Sequence, residues 1–126
     1  MPIQTTQLDD DLVLCTAFDA ITFAELMEVL KQFYEDDPPL NILWDLRQGT
    51  AVNLTYDHLG LIVDYVAKFS EKRKRGKTAF VVLRDVDYGI FRTMDTFADL
   101  KEVPLTLQAF HDYDEALQWL KNENAF

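Results

Sequence analysis

Four aspartates, Asp19, Asp45, Asp85 and Asp112, stand where strand-like segments give way to helix-like ones. Ligands bind outside the carboxyl ends of the strands in open α/β sheets, so carboxylates there could serve acid–base chemistry or a divalent metal. Three of them have a plainer reason for their place. Asp85 and Asp112 fall at helix N-cap positions, and Asp19 precedes a capping box. Asp45 is the exception: in WDLR it lies within a strand end beside Arg47.

Other reactive side chains are sparse. His58 falls in a helix first turn and His111 at a strand–helix junction, neither with a second His or Cys at ligand spacing. The single cysteine, Cys15, excludes a structural zinc site within one chain, and its apolar run LVLCTAF suits a buried, inert thiol. Ser70 is the single serine and no Gly-x-Ser-x-Gly elbow occurs, which excludes a serine hydrolase. The reading is of no catalytic residue, no metal and no cofactor, hence not an enzyme.

The stretch KRKRGKT at 72–78 ends like a phosphate-binding loop. However, Glu71 stands where the first glycine belongs, and the element order is helix then strand, the reverse of what a phosphate cradle requires. Four of its cations instead read as the last turn of a helix closed by Gly76, where positive charge complements the helix dipole. Nucleic acid is not expected as a partner. The chain carries a net charge of −10, and without this knot seven basic residues face 22 acidic ones, a net of −15.

The elements that would position these groups follow from pattern. Residues 2–8 and 11–17 read as strands around Asp9-Asp10-Asp11, and Thr22-x-x-Glu25 opens a helix that EDDPP ends at 35–39. NILWDL at 41–46 is a strand, followed by the loop RQGTAVNL; Thr55 caps a helix running to about Lys74. TAFVVL at 78–83 is a central strand, and Asp85 opens a helix to Leu100. A strand at 104–110 and a helix opened by Asp112-x-x-Glu115 complete the order ββαβαβαβα. No linker, repeat or low-complexity tract divides residues 1–126, so a single domain is expected. No apolar run is long enough to span a membrane, and the N-terminus lacks a signal-peptide pattern, which with the lone cysteine suits the cytoplasm.

Two helices carry more apolar surface than one sheet face needs. On 55–74, Leu59, Ile62, Val63 and Val66 form a stripe that Leu61, Tyr65 and Phe69 widen to roughly 200°, about twice the usual width. On 86–100, Phe91 and Ala98 widen the face set by Val86, Ile90, Met94 and Phe97. Extra core, a homodimer contact through Leu61, Tyr65 and Phe69, or a lipophilic pocket would each cover such surface.

The segments NILWDLRQGT, GKTAFVVLRDVDYGIFRTMDTFA and FHDYDEALQWL resemble the STAS-like superfamily, more narrowly the SpoIIAA-like proteins, small bacterial domains similar to anti-sigma-factor antagonists. The resemblance spans about residues 3–121. It implies a mixed four- or five-stranded sheet with packed helices and a regulatory or binding role without a reaction. Antagonists of that superfamily carry a phosphorylatable serine at the start of the helix after the third strand. This chain has Thr55-Tyr56-Asp57-His58-Leu59-Gly60 there, so Thr55 is the candidate phosphoacceptor. The expected function is that of a regulatory, homodimeric interaction module that binds itself or another protein. The alternative is a carrier or sensor of a small lipophilic or anionic ligand near the βα loops. Trp44, Asp45, Arg47, Arg84, Tyr88 and Arg92 are the candidate ligand- or partner-binding residues.

Overall fold

The computed structural model describes residues 3–73 and 76–122. Ten elements follow one another: β1 (Ile3–Asp9), β2 (Leu12–Ala20), α1 (Phe23–Glu35), β3 (Asn41–Thr50), α2 (Tyr56–Lys68), a 3₁₀ turn (Ser70–Arg73), β4 (Lys77–Val82), α3 (Asp85–Leu100), β5 (Thr106–Phe110) and α4 (Tyr113–Lys121). The expected α/β order is present.

The five strands form one sheet in the order β1-β2-β3-β4-β5, with β1 antiparallel to β2 and all other neighbours parallel. The β1–β2 hairpin is closed by the Asp9 carboxylate, which accepts from the Asp11 N–H at 2.9 Å. From β2 onward, each helix carries the chain one strand further in the same direction. Such crossovers are right-handed, so α1, α2 and α3 must all lie on one face. Only α4, which leads to no further strand, is free to cover the other.

Side-chain alternation along β3 follows from this. Ile42, Trp44 and Leu46 point into the large core under α1–α3, while Leu43 joins Leu12, Ala79 and Val81 in a smaller core under α4 with Ala116 and Leu120. Strand β4 is buried along all but its first residue, as its apolar run requires.

The caps form as read at three helices. Thr22 and Glu25 make a reciprocal capping box, and Asp112 accepts from the Asp114 and Glu115 N–H groups. Thr55 Oγ1 accepts from the His58 N–H, while His58 Nδ1 accepts from the Thr55 N–H, both at 3.1 Å. At α3 the expectation fails: Asp85 is the first helical residue, and Arg84 holds the N-cap position without a side-chain cap bond.

Three further expectations are corrected. Strand β3 continues to Thr50 through residues read as loop. Helix α2 ends at Lys68, and Arg73 turns inward from the 3₁₀ turn instead of trailing into solvent; Lys74 and Arg75 lie outside the described residues. Gly76 is not a left-handed helix stop, for no described glycine has a positive φ. Its lack of a side chain serves close approach: a Cβ there would lie 2.3 Å from the Leu40 carbonyl oxygen.

The apolar faces of the two wide helices resolve differently. On α2, Tyr65 and Phe69 pack against Tyr34 of α1, at ring-centroid distances of 6.1 and 6.0 Å, while Leu61 stays exposed. On α3 the buried stripe is Asp87, Phe91, Met94 and Ala98, rotated from the expected one. Phe91 stacks on Phe80 of β4 at 4.1 Å, and Val86 is left in solvent.

Candidate functional site

The carboxyl end of the parallel strands is organised by Asp87. One turn into α3 and 1% exposed, its Oδ1 accepts from Thr50 Oγ1 at 2.9 Å and from the Ala51 N–H at 2.8 Å. Its Oδ2 lies 3.4 Å from Arg84 Nε, and Arg84 also donates to Thr50 Oγ1. The carboxylate thus fastens the loop after β3 to the loop after β4. The loop after β5 joins through His111, whose ring stacks on Tyr88 at 4.7 Å, approaches the Val82 carbonyl at 3.3 Å and lies 3.8 Å from Asp85. Arg92 lies over the other partner of that stack, 5.8 Å from the Tyr88 centroid.

Arg84, Tyr88 and Arg92 therefore belong to one neighbourhood at this end. Asp45 and Arg47 form a second, on the α4 side. Arg47 donates to both Asp45 oxygens, from Nε at 3.0 Å and Nη2 at 2.9 Å, and its guanidinium lies 4.5 Å from the Tyr113 ring centroid. Burial pushes the Asp45 carboxyl up, but the Arg47 side-chain and backbone hydrogen bonds and its charge outweigh that and hold it below its ordinary value. Trp44 joins neither group. It faces the opposite side of β3 and is 3% exposed within the core. Thr55 is exposed at the start of α2 with its hydroxyl engaged as a cap.

Around this end four apolar side chains stand in solvent, Val52 and Leu83 on loops and Tyr56 and Val86 at the starts of α2 and α3, with Tyr56 74% and Leu83 62% exposed. Their neighbours Arg84 and Asp85 add a charge of each sign. Among the described residues, no group of three or more His, Cys, Asp or Glu side chains converges as a metal would need, and no helix is long and apolar enough to cross a membrane.

The opposite, amino end of β3 and β4 is organised by Arg73, 2% exposed. Nε and Nη2 donate to the Leu40 carbonyl at 3.2 and 2.9 Å, and Nη2 also reaches the Lys77 carbonyl at 3.1 Å and Thr78 Oγ1 at 3.0 Å. Nη1 donates to Tyr34 Oη at 3.0 Å. Nearby, Lys72 Nζ donates to the Tyr34 carbonyl at 2.6 Å. Arg73 also draws down the Cys15 thiol, yet burial dominates and pushes it up to about 12, which leaves that cysteine a neutral, unreactive core residue.

Between the sheet and α1–α3 lies a cavity of about 50 Å³ lined almost wholly by carbon, including Trp44, Phe80, Phe91 and Met94. Arg73, Tyr34 and Thr78 are among its lining residues, but their polar atoms are turned to one another and to backbone carbonyls and add almost nothing to its surface. Of the candidate ligand- or partner-binding residues, Trp44 lines this space, and Asp45, Arg47, Arg84, Tyr88 and Arg92 do not.

Sequence reasoning missed Asp87 and Arg73. Asp87 stands in a helix first turn, where acids are common for dipole reasons alone, and Arg73 stands in a basic run that suits a solvated helix end. A comparison with family models matches residues 13–121, from β2 to the end of α4, to the family described as SpoIIAA-like. A comparison with curated proteins finds no match.

Proposed function

The chain belongs to the SpoIIAA-like family, and on that premise we propose that it is a regulatory module that works through protein–protein contact and catalyses no reaction. The observation that carries this reading is the carboxyl end of the sheet. Val52 and Leu83 are exposed there on the two loops that Asp87 fastens together, and Tyr56 and Val86 on the first turns of the helices that follow, so the apolar surface is presented on a rigid base.

The partner in this reading is a second copy of the chain. Arg84 and Asp85 place one charge of each sign within the apolar group, so a two-fold axis through it would set each cation against the partner's anion. Elsewhere the acidic excess opposes self-contact. In this reading Thr55, exposed beside Tyr56, is the position at which modification would regulate the contact. A phosphate there would add up to two negative charges next to the apolar group.

Sedimentation of the full chain across micromolar concentrations tests the proposal. A dimer is expected, with Leu83→Asp weakening it at least ~10-fold, a change of about 1.4 kcal/mol. Leu100→Asp, at the far end of α3, should leave it unchanged. Leu61→Asp addresses the other expected contact: a loss there and not at Leu83 would move the interface onto α2. A wild-type chain that stays monomeric would remove self-association.

A further inference from the structure

We propose that His58 is a proton-operated latch on the start of α2: the neutral imidazole closes the first turn of the helix, and the imidazolium opens it. The latch is built within one chain and does not depend on self-association.

The direction of one hydrogen bond is the first reason. The Thr55 N–H lies 3.1 Å from His58 Nδ1. A backbone N–H can only donate, so Nδ1 accepts and the proton of the neutral ring sits on Nε2. Protonation puts a hydrogen on Nδ1 and turns that acceptor into a second donor. The Thr55 N–H then loses its partner, and the return bond from the His58 N–H to Thr55 Oγ1, also 3.1 Å, loses the closure that holds it. The new charge also stands at the positive end of the helix dipole.

Position is the second reason. The imidazole stacks on the ring of Phe23, the first residue of α1, with centroids 4.5 Å apart and planes 9° from parallel. It therefore ties the starts of two helices together. The segments around it carry three chargeable side chains, Asp57 on α2, Glu25 on α1 and Asp19 at the end of β2. Among the described residues none of these ion-pairs with the ring, and Glu25 Oε1 is engaged by the Thr22 N–H at 2.8 Å. The Phe23 face attracts a cation, one gain against both the lost bond and the dipole.

Contrast is the third reason. Helix α1 opens with the same box, but Glu25 stands in it where α2 has His58. Carboxylates lose their charge at about pH 4, whereas an imidazole changes charge between about pH 5 and 8. Mild acid thus addresses α2 alone. The second histidine, His111, faces acceptors: the Val82 carbonyl lies 3.3 Å from Nδ1 and the Asp85 carboxylate 3.8 Å from Nε2. A proton there adds attraction, so the two histidines respond in opposite directions. The first turn of α2 carries Tyr56, 74% exposed in the apolar group at the carboxyl end of the sheet. An opened latch frees that ring from its fixed position and weakens a contact made through it; this last step alone rests on the self-association reading.

Amide exchange of the full chain, followed by nitrogen NMR at about pH 7.5 and about pH 5.5 and divided by the exchange of an unstructured chain at each pH, tests the latch. Protection of the Thr55 and His58 amides should fall at least ~10-fold at the lower pH, about 1.4 kcal/mol. The Thr22 and Glu25 amides should keep theirs. His58→Gln retains the acceptor and takes no charge, so its protection should stay level. The ring-nitrogen shifts need no variant: at the higher pH, Nδ1 should be bare and Nε2 protonated. No fall in the wild type, an equal fall in His58→Gln or at the start of α1, or a proton on Nδ1 at the higher pH would each overturn the proposal. Sedimentation at the same two pH values separates the latch from the interface. The wild-type dimer should weaken at least ~10-fold at the lower pH and the His58→Gln dimer should not. A dimer indifferent to an opened latch would overturn the link to Tyr56, whereas a chain monomeric at both pH values would fail the self-association reading and leave the amide result standing.

Discussion

Asp87 is buried at the carboxyl end of the strands with a guanidinium in reach, whereas Arg73 is buried at their amino end and, among the described residues, pairs with no carboxylate. The signs follow from the winding of the fold. Helices that run back against parallel strands bring their amino termini, with free N–H groups and the positive end of the dipole, to the strand carboxyl ends. A carboxylate in the first turn of α3 finds the Ala51 N–H there. The other end presents carbonyls, and Arg73 collects those of Leu40 and Lys77. Dipoles account for the sign at each end, but they do not discharge a full ion. Asp87 is neutralised by Arg84 and holds two loops together; Arg73 is held by neutral oxygens and ties the Leu40, Lys77 and Tyr34 segments together.

Removing Arg73 should have the largest effect. Arg73→Ala strips the donor from four oxygens, those of Tyr34 and Thr78 buried and those of Leu40 and Lys77 part-buried, at ~1 kcal/mol each, so urea unfolding should show a loss of about 4 kcal/mol. A loss below ~1 kcal/mol would mean that the guanidinium does not hold this end together. Asp87→Asn should cost less, about 1–3 kcal/mol, since the amide keeps one acceptor oxygen. Arg84→Ala, with its side chain half exposed, should cost under ~1 kcal/mol. If Arg84→Ala proved as damaging as Asp87→Asn, the pairing, and not the loop fastening, would be the main role of Asp87.

The smallest effect belongs to the surface pair. The Asp45 carboxyl is held below its ordinary value, so its pairing with Arg47 contributes fully above the unfolded value of ~3.9 and is lost as pH falls through the lower folded value. Asp45→Asn should flatten the acid limb of stability against pH slightly and leave neutral pH nearly untouched. Arg47 is 45% exposed, and solvent screens the pair. A steeper acid limb in the variant would reverse the sign assigned here.

Much of the architecture was legible from residues a few positions apart. Thr22 with Glu25, Thr55 with His58, and Asp112 with the two N–H groups after it are local hydrogen-bonded units, and they mark helix starts wherever the chain goes. Candidate site residues were harder. Trp44, Asp45 and Arg47 look like neighbours in a string, but alternation sends Trp44 to one face of the sheet and Asp45 to the other. Arg84, Tyr88 and Arg92 stand together because they follow one another at four-residue spacing from the N-cap through the first half of α3.

The sequence by itself determined the element order and the caps of α1, α2 and α4, because these rest on periodicity and short-range bonding. Only the tertiary structure decided the fate of the charged residues. Arg73 meets Tyr34 and Leu40, 39 and 33 positions away, and Asp87 meets Thr50 and Ala51, 37 and 36 positions away. A basic run and a first-turn acid each have a sufficient local explanation. The partner that turns a solvated charge into a buried one is brought there by the winding of the sheet, and no local pattern encodes it.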